Sequence, residues 1–308
     1  MSAYRNLGLW LLLSAVWGTA FMAIKAGLDP FGPAPVFFAA VRYDIAGLLM
    51  LGYAIVVVDQ WLPQTREEWL LVGVGGALMI AGYHAFLFVG ELQTTSAAAA
   101  VIVSLSPVLT TGFARAWLPG DQLTGLGIVG LLLGLVGVVV LAQPDPGNLL
   151  GGNAVGEFLV FMAALSFALG SVVAKAMDAS LPIETMEAWS MVIGAALMHG
   201  ISLGIGEQAS AVAWTTEGLL ALGYLSVVAS AAGFLIYFDL LDRLGPVEIN
   251  LVSYVAPVWA AVTGWLVLGE VISPATIGGF AIIFAGFWLM KREALTAELG
   301  RMRDRLAG

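Results

Sequence analysis

Apolar residues fill this chain in long windows, separated by short joints that carry proline, glycine or charge. A helix needs about 20 mostly apolar residues to cross the hydrocarbon core of a bilayer. Ten such windows occur, at 6–26, 35–58, 69–90, 94–114, 122–142, 153–175, 185–206, 217–238, 246–268 and 274–291. Helix breakers fall at the joints: Asp29-Pro30, Leu62-Pro63, Pro119-Gly120, Pro144-Asp145-Pro146, Leu181-Pro182, Gly245-Pro246 and Ser273-Pro274. The joints are too short to hold a soluble domain. The pattern predicts an all-α integral membrane protein with ten transmembrane helices. Leu7–Ile24 has no small-residue cleavage pattern and is expected to be the first span, not a signal peptide.

Two windows carry a proline in mid-span. In Gly245–Glu270, Asn250, Ser253, Tyr254 and Pro257 fall on one helical face, so an otherwise apolar helix has one polar, kinked side. Thr94–Asp121 is its counterpart, with Ala100 and Ser104 on the face of Pro107. Pro107 and Pro257 lie 150 positions apart, and so do Lys25 and Lys175, each followed by alanine. The glycine placement of 126–141 returns in 277–290. The chain therefore reads as two five-helix repeats, 1–146 and 147–292, followed by a cytoplasmic tail at 293–308. An odd number of spans per repeat makes the second inverted relative to the first, and paired broken helices mark the binding site of such transporters.

Composition agrees with a membrane solvent. Of 308 residues, 60% are hydrophobic and 11% charged, and mean hydropathy is +0.95. Soluble domains carry about 25% charged residues. The net charge of −9 argues against nucleic acid as a partner. With no cysteine there is no thiol catalysis, disulfide or thiolate-bound metal, and no cofactor is called for. Of twelve Lys and Arg, ten fall on one predicted side: Arg5, Arg66, Arg115, Lys175, Arg243, Lys291, Arg292, Arg301, Arg303 and Arg305. The positive-inside rule then puts both termini in the cytoplasm of a cell-membrane protein.

Ionisable groups inside spans are costly and are functional candidates. Arg42 lies about 10 Å below the predicted outer surface at 1.5 Å per residue, shallow enough to snorkel. Asp44 faces elsewhere and is a candidate for proton coupling, as is Glu157 near the outer end of span six. His84 is either a proton relay or a histidine satisfied by a backbone carbonyl. The repeat also predicts two ion pairs at opposite membrane faces, Lys25 with Glu270 and Lys175 with Asp121, as latches. Other motifs have simpler readings. Gly200-Ile-Ser-Leu-Gly204 matches a nucleophile elbow but sits inside an apolar helix. Asp239-Leu-Leu-Asp242 fits a solvated helix end, and Gly130–Gly134 fits close packing within one subunit as well as a homodimer face.

The segments WGTAFMAIK (17–25), VRYDIAGLL around Arg42, the Pro107 stretch, PVWAAVTGWLVLGE (257–270) and IGGFAIIFAGFW (277–288) together resemble the EamA type of the drug/metabolite transporter superfamily, over nearly the whole chain. The first repeat departs from that pattern, with Leu-Pro-Gly-Asp at 118–121 where the second has Leu-Gly-Glu at 268–270. The resemblance implies a ten-helix inner-membrane transporter, often an exporter of amino acids or similar metabolites, with Trp17 lining a central cavity. Depth counting places Trp17, Ser104, Pro107 and Pro257 near the midplane, Tyr83 further out, and Asn250 and Tyr254 further in, as the expected substrate site. No nucleotide-binding loop is present, so transport would be a secondary process with a small-molecule substrate, the bilayer as environment, and a monomer or homodimer as the unit. The alternatives are a membrane-embedded enzyme, for which two histidines supply little, or a structural or sensory membrane protein; uptake of labelled amino acids into vesicles separates these.

Overall fold

Ten helices follow the ten apolar windows in the computed structural model, which describes residues 2–117, 125–142, 152–244, 249 and 251–289. They are α1 (Ser2–Phe31), α2 (Pro35–Val57), α3 (Arg66–Glu91), α4 (Ser96–Trp117), α5 (Gly125–Ala142), α6 (Gly152–Ala176), α7 (Ile183–Gly204), α8 (Thr216–Leu244), α9 (Val252–Leu268) and α10 (Pro274–Leu289). Seven are long and apolar enough to cross a membrane, and α5, α9 and α10 are shorter apolar helices. The protein is an all-α membrane protein of two inverted five-helix repeats. α1 outruns its predicted window because Pro30 and Phe31 pack on Gly218 at the start of α8.

The repeat relation is visible in the packing. α1 lies against α8 and α9; 150 positions on, α6 lies against α3 and α4. α2 packs on α8 as α7 packs on α3, and α2 and α7 pack on each other. These first-half contacts thus have second-half equivalents, and the core forms between the halves. Phe31, Phe38, Tyr43, Met50 and Phe88 from one half meet Met191 and Met198 from the other in one buried cluster. Close approach requires glycine where α3 crosses α6: a Cβ on Gly156 would sit 2.7 Å from the Gly90 carbonyl oxygen. The N-caps repeat too. The Thr65 hydroxyl accepts from Glu68 N–H at 3.2 Å in α3, and the Thr215 hydroxyl from Gly218 N–H at 3.1 Å in α8.

The proline spans differ in detail. α4 breaks: a helix at Ser96–Val103 is followed by another at Ser106–Trp117. That puts Pro107 in a first turn, where a missing N–H costs little. α9 runs on through Pro257, which is buried, so there the lost hydrogen bond is absorbed within the helix.

Each half also contains a feature that no sequence pattern foretells. The middle of α3, Gly75–Gly82, and the middle of α8, Tyr224–Ala232, are π-helices at equivalent positions of the two repeats. A π-helix is wider than an α-helix, shifts the hydrogen-bond ladder by one residue, and occurs often at functional sites.

Candidate functional site: a polar belt between two widened helices

The two π-helices collect the polar side chains of the bundle interior. Trp17 Nε1 donates to the Ala229 carbonyl of the α8 π-helix at 3.1 Å. The Tyr224 hydroxyl of the same π-helix donates to the Val16 carbonyl at 3.1 Å and also bonds the Thr19 hydroxyl. Arg42 places Nε and Nη2 on the Ser230 hydroxyl at 3.2 and 3.1 Å. In the other half, Ser166 Oγ donates to the Leu78 carbonyl of the α3 π-helix at 2.7 Å. Ser166 and Leu78 are the repeat equivalents of Val16 and Val228, one position from the Trp17–Ala229 contact. Both halves therefore use α1 or α6 to satisfy carbonyls that the π turn leaves over in the opposite half.

Arg42 is 6% exposed and does not snorkel. Its guanidinium lies 5.0 Å from the Tyr43 ring centroid and 6.0 Å from that of Phe88, so aromatic faces and a hydroxyl solvate the charge. Beside it, Tyr43 and His84 are 2.8 Å apart, and His84 Nδ1 is 2.8 Å from the Ile80 carbonyl. A carbonyl only accepts, so Nδ1 carries the hydrogen and Nε2 accepts from Tyr43 O–H. Both ring nitrogens of His84 are used, one of them on a backbone carbonyl. The Tyr83 ring packs edge-on to His84 with centroids 4.5 Å apart. The structure brings Trp17, Arg42, Tyr83 and His84 into one belt running from α8 to α3.

The remaining candidates lie elsewhere. Ser104 is buried and turns its hydroxyl back to the Val101 carbonyl at 2.6 Å. The Tyr254 ring stacks on Phe287 at 4.1 Å and meets Phe284 at 5.8 Å, with its buried hydroxyl unpartnered. Pro107 and Pro257 sit in α4 and α9 as described, and Asn250 falls outside the described residues. Asp44 pairs with His199 of α7 at 2.7 Å and not with Arg42.

A second constellation ties the α3–α4 junction, residues 91–96, to both halves. Lys25 Nζ donates to the main-chain carbonyls of Glu91 at 2.5 Å and Thr94 at 2.9 Å. Glu270 accepts from Ser96 N–H at 3.0 Å and Ser96 O–H at 2.6 Å. Each charge sits on the helix end that complements it: the ammonium on the orphan carbonyls of α3, the carboxylate on the N–H groups of α4. The expected Lys25–Glu270 latch takes the form of two charges that meet the same short segment, residues 91–96. The two form no ion pair within 4 Å, because each finds a closer backbone partner in the segment between them. The Leu-Gly-Glu motif explains how Glu270 gets there. Gly269 adopts φ 67°, a left-handed conformation that ends α9 and turns the next side chain toward α4. A Cβ on Gly264 would lie 2.6 Å from Ser96 Oγ, so only glycine leaves room for the contact. Glu157 from α6 lies beside Thr94 at the same junction, with one oxygen buried and unpartnered.

Three residues of these sites escape sequence reasoning. Ser230 and Glu207 look like ordinary loop or helix polar residues, yet Glu207 accepts from the Val36 and Phe37 N–H groups at 2.9 Å, capping α2 from the opposite repeat. Glu91 sits one residue past the predicted end of span three and so escapes a search for acids inside spans. Lys175, the repeat equivalent of Lys25, is exposed and makes no hydrogen bond or ion pair among the described residues; Asp121, its expected partner, lies outside them.

Comparison with known proteins agrees with the geometry. The EamA-like transporter family matches the chain twice, over residues 7–143 and 154–292. The inner membrane transporter YedA of Escherichia coli K12 is 30% identical over 268 residues, 86% of this chain and 84% of that protein. The transporter YvbV of Bacillus subtilis is 26% identical over 94% of this chain and 92% of its own length. A WAT1-related chloroplastic protein of Arabidopsis thaliana is 28% identical over 89% of this chain, which spans 66% of that longer protein. A crystal structure 24% identical in sequence superposes with a TM-score of 0.64, covering 94% of this chain and 98% of that one, and shares its fold. With two family matches that fall one on each repeat, the chain belongs to the EamA-like transporters of the drug/metabolite transporter superfamily.

Proposed function

We propose that this transporter is a secondary exporter of amino acids or related small metabolites in the cell membrane, working by alternating access between its two repeats. The observation that carries the reading is an asymmetry between equivalent positions. Lys25 grips the end of α3 while Glu270 grips the start of α4, shutting one face of the bundle. Lys175, 150 positions on, is free of such contacts among the described residues. Alternating access in an inverted-repeat protein consists of exchanging those two states. With both termini cytoplasmic, the shut face is the outer one.

The substrate would lie beside the belt. Trp17 and Tyr83 would offer ring faces to an ammonium group, and the candidates of the two proline-bearing spans, Ser104, Pro107, Asn250, Tyr254 and Pro257, are proposed as the rest of the lining. Cation–π attraction contributes about 0.5–2 kcal/mol, so Trp17→Ala should weaken apparent affinity for an amino acid roughly 3- to 30-fold. The assay is uptake of a labelled amino-acid mixture into vesicles, against empty vesicles, with Trp17→Ala, Asn250→Ala and Tyr254→Phe at matched expression. Wild-type rates and affinities in all three would place the substrate elsewhere. Absence of any uptake by the wild type would remove amino acids as substrates.

A further inference from the structure

Glu91 is the most deeply buried acid among the described residues and no step above uses it. Its side chain is 0% exposed, and neither carboxyl oxygen has a hydrogen-bond partner. It occupies the last residue of α3, and its own main-chain carbonyl is the one Lys25 holds at 2.5 Å. We propose that Glu91 is a proton-binding site of the Lys25–Glu270 gate: it holds a proton while the gate is shut and gives it to bulk water when the gate opens. The inference rests on the alternating-access reading.

The charges around it decide its state. Lys25 of α1 and Glu270 after α9 bring one charge of each sign to the junction, each engaged with backbone. Arg42 of α2 is committed to the Ser230 hydroxyl, and it forms no ion pair with Glu91 within 4 Å. Glu157 of α6, beside Thr94, is a second acid at the same junction and offers Glu91 no cation. Tyr43 and Tyr83 are neutral phenols, and both His84 nitrogens are already engaged, Nδ1 with the Ile80 carbonyl and Nε2 with the Tyr43 hydroxyl. An ionised Glu91 would therefore be a buried carboxylate with no donor and no contacting cation, an arrangement that proteins avoid by neutralising the group. As a neutral acid it fits the apolar surroundings. Opening the gate withdraws Lys25 and Glu270 from residues 91–96 and lets water reach Glu91, which can then ionise. The proton comes from and returns to the water on that face. Because the shut form binds one proton more than the open form, acid favours shut and alkali favours open.

The native chain has no cysteine, which permits a direct test. Ala98→Cys places a thiol at a position 4% exposed, in the first turn of α4 behind the gate. Its labelling by an impermeant maleimide from the Lys25 face is measured against pH in proteoliposomes, divided by that of the exposed Gln208→Cys on the same face to correct for reagent chemistry, and compared with the same thiol in the Glu91→Gln background to correct for its own titration. The normalised rate should rise with pH, by up to about tenfold per unit for one linked proton. In Glu91→Gln and Glu91→Leu backgrounds it should stay low and flat, while Glu157→Gln should keep the slope. The infrared carbonyl band of a protonated acid should disappear in Glu91→Gln. A slope that survives Glu91→Gln, a slope lost in Glu157→Gln instead, or no band lost overturns the proposal. Exchange of labelled amino acids is recorded on the same vesicles. Exchange with an unaltered slope in Glu91→Gln overturns the proton site alone, whereas no exchange by the wild type removes amino acids as substrates and leaves the Glu91 result standing by itself.

Discussion

At the scale of single residues, the interior polar groups are nearly all spoken for by a named partner, and this makes their substitution costs predictable. Tyr43→Phe leaves His84 Nε2 as a buried acceptor without a donor, and should destabilise the protein by about 1–3 kcal/mol. Adding His84→Leu removes the orphan, so the double variant should be less destabilised than the sum of the two singles. A denaturation cycle that came out additive would mean the two rings do not depend on one another. Arg42 and His84 were legible from sequence because a charge or an imidazole in an apolar window stands out. Their partners were not. Ser230 is 188 positions from Arg42, and one serine among many small residues gives no local sign that it will solvate a guanidinium. Tyr254 went the other way. Its face was legible, but the ring packs on Phe284 and Phe287 of α10 and leaves the hydroxyl buried without a partner.

At the scale of elements, the spans were readable because bilayer thickness fixes their length and prolines mark their joints. The π-helices were not. Neither GGALMIAG nor YLSVVASAA carries a proline, and the glycines occur in only one of the two, while a widened turn persists only where side chains from the other repeat meet the carbonyls it frees, as Ser166 and Trp17 do. The α3–α6 crossing gives a prediction at this scale. Gly156→Val would drive a branched side chain against the Gly90 carbonyl and Gln93, so the helices must separate. Overpacking of this kind costs about 1–3 kcal/mol, occasionally more. The folded, monodisperse fraction should fall sharply, while Gly125→Ala, which meets nothing within 4 Å, should match the wild type. Equal yields for both would mean that α3 and α6 tolerate a wider spacing than the structure has. The Leu-Gly-Glu turn belongs here as well: its residues were legible as a family-like motif, but its role as a cap on α4 needed the fold, since Ser96 is 174 positions away.

At the scale of the whole molecule, the repeats and the charge pattern act together. An inverted repeat makes the two faces of the bundle nearly equivalent in structure, so packing alone gives no reason to prefer one orientation. The basic residues break the tie. The sequence predicts ten of the twelve Lys and Arg on the side of Lys175, while Lys25 is bound to backbone carbonyls at the α3–α4 junction. Lysine and arginine in short loops resist translocation, so that face should be cytoplasmic and the Lys25 gate extracellular. The expectation is open to a direct measurement. A cysteine at Asn148, in the joint after α5, should react with an impermeant thiol reagent added outside intact cells. One at Gln64, in the joint before α3, should react only after the cells are opened. The reverse result would turn the molecule over: the shut gate would then face the cytoplasm, and the pH felt by Glu91 would be the cell's own and not that of the medium. Orientation therefore decides which compartment's protons the gate reads, although it alters no contact within the protein.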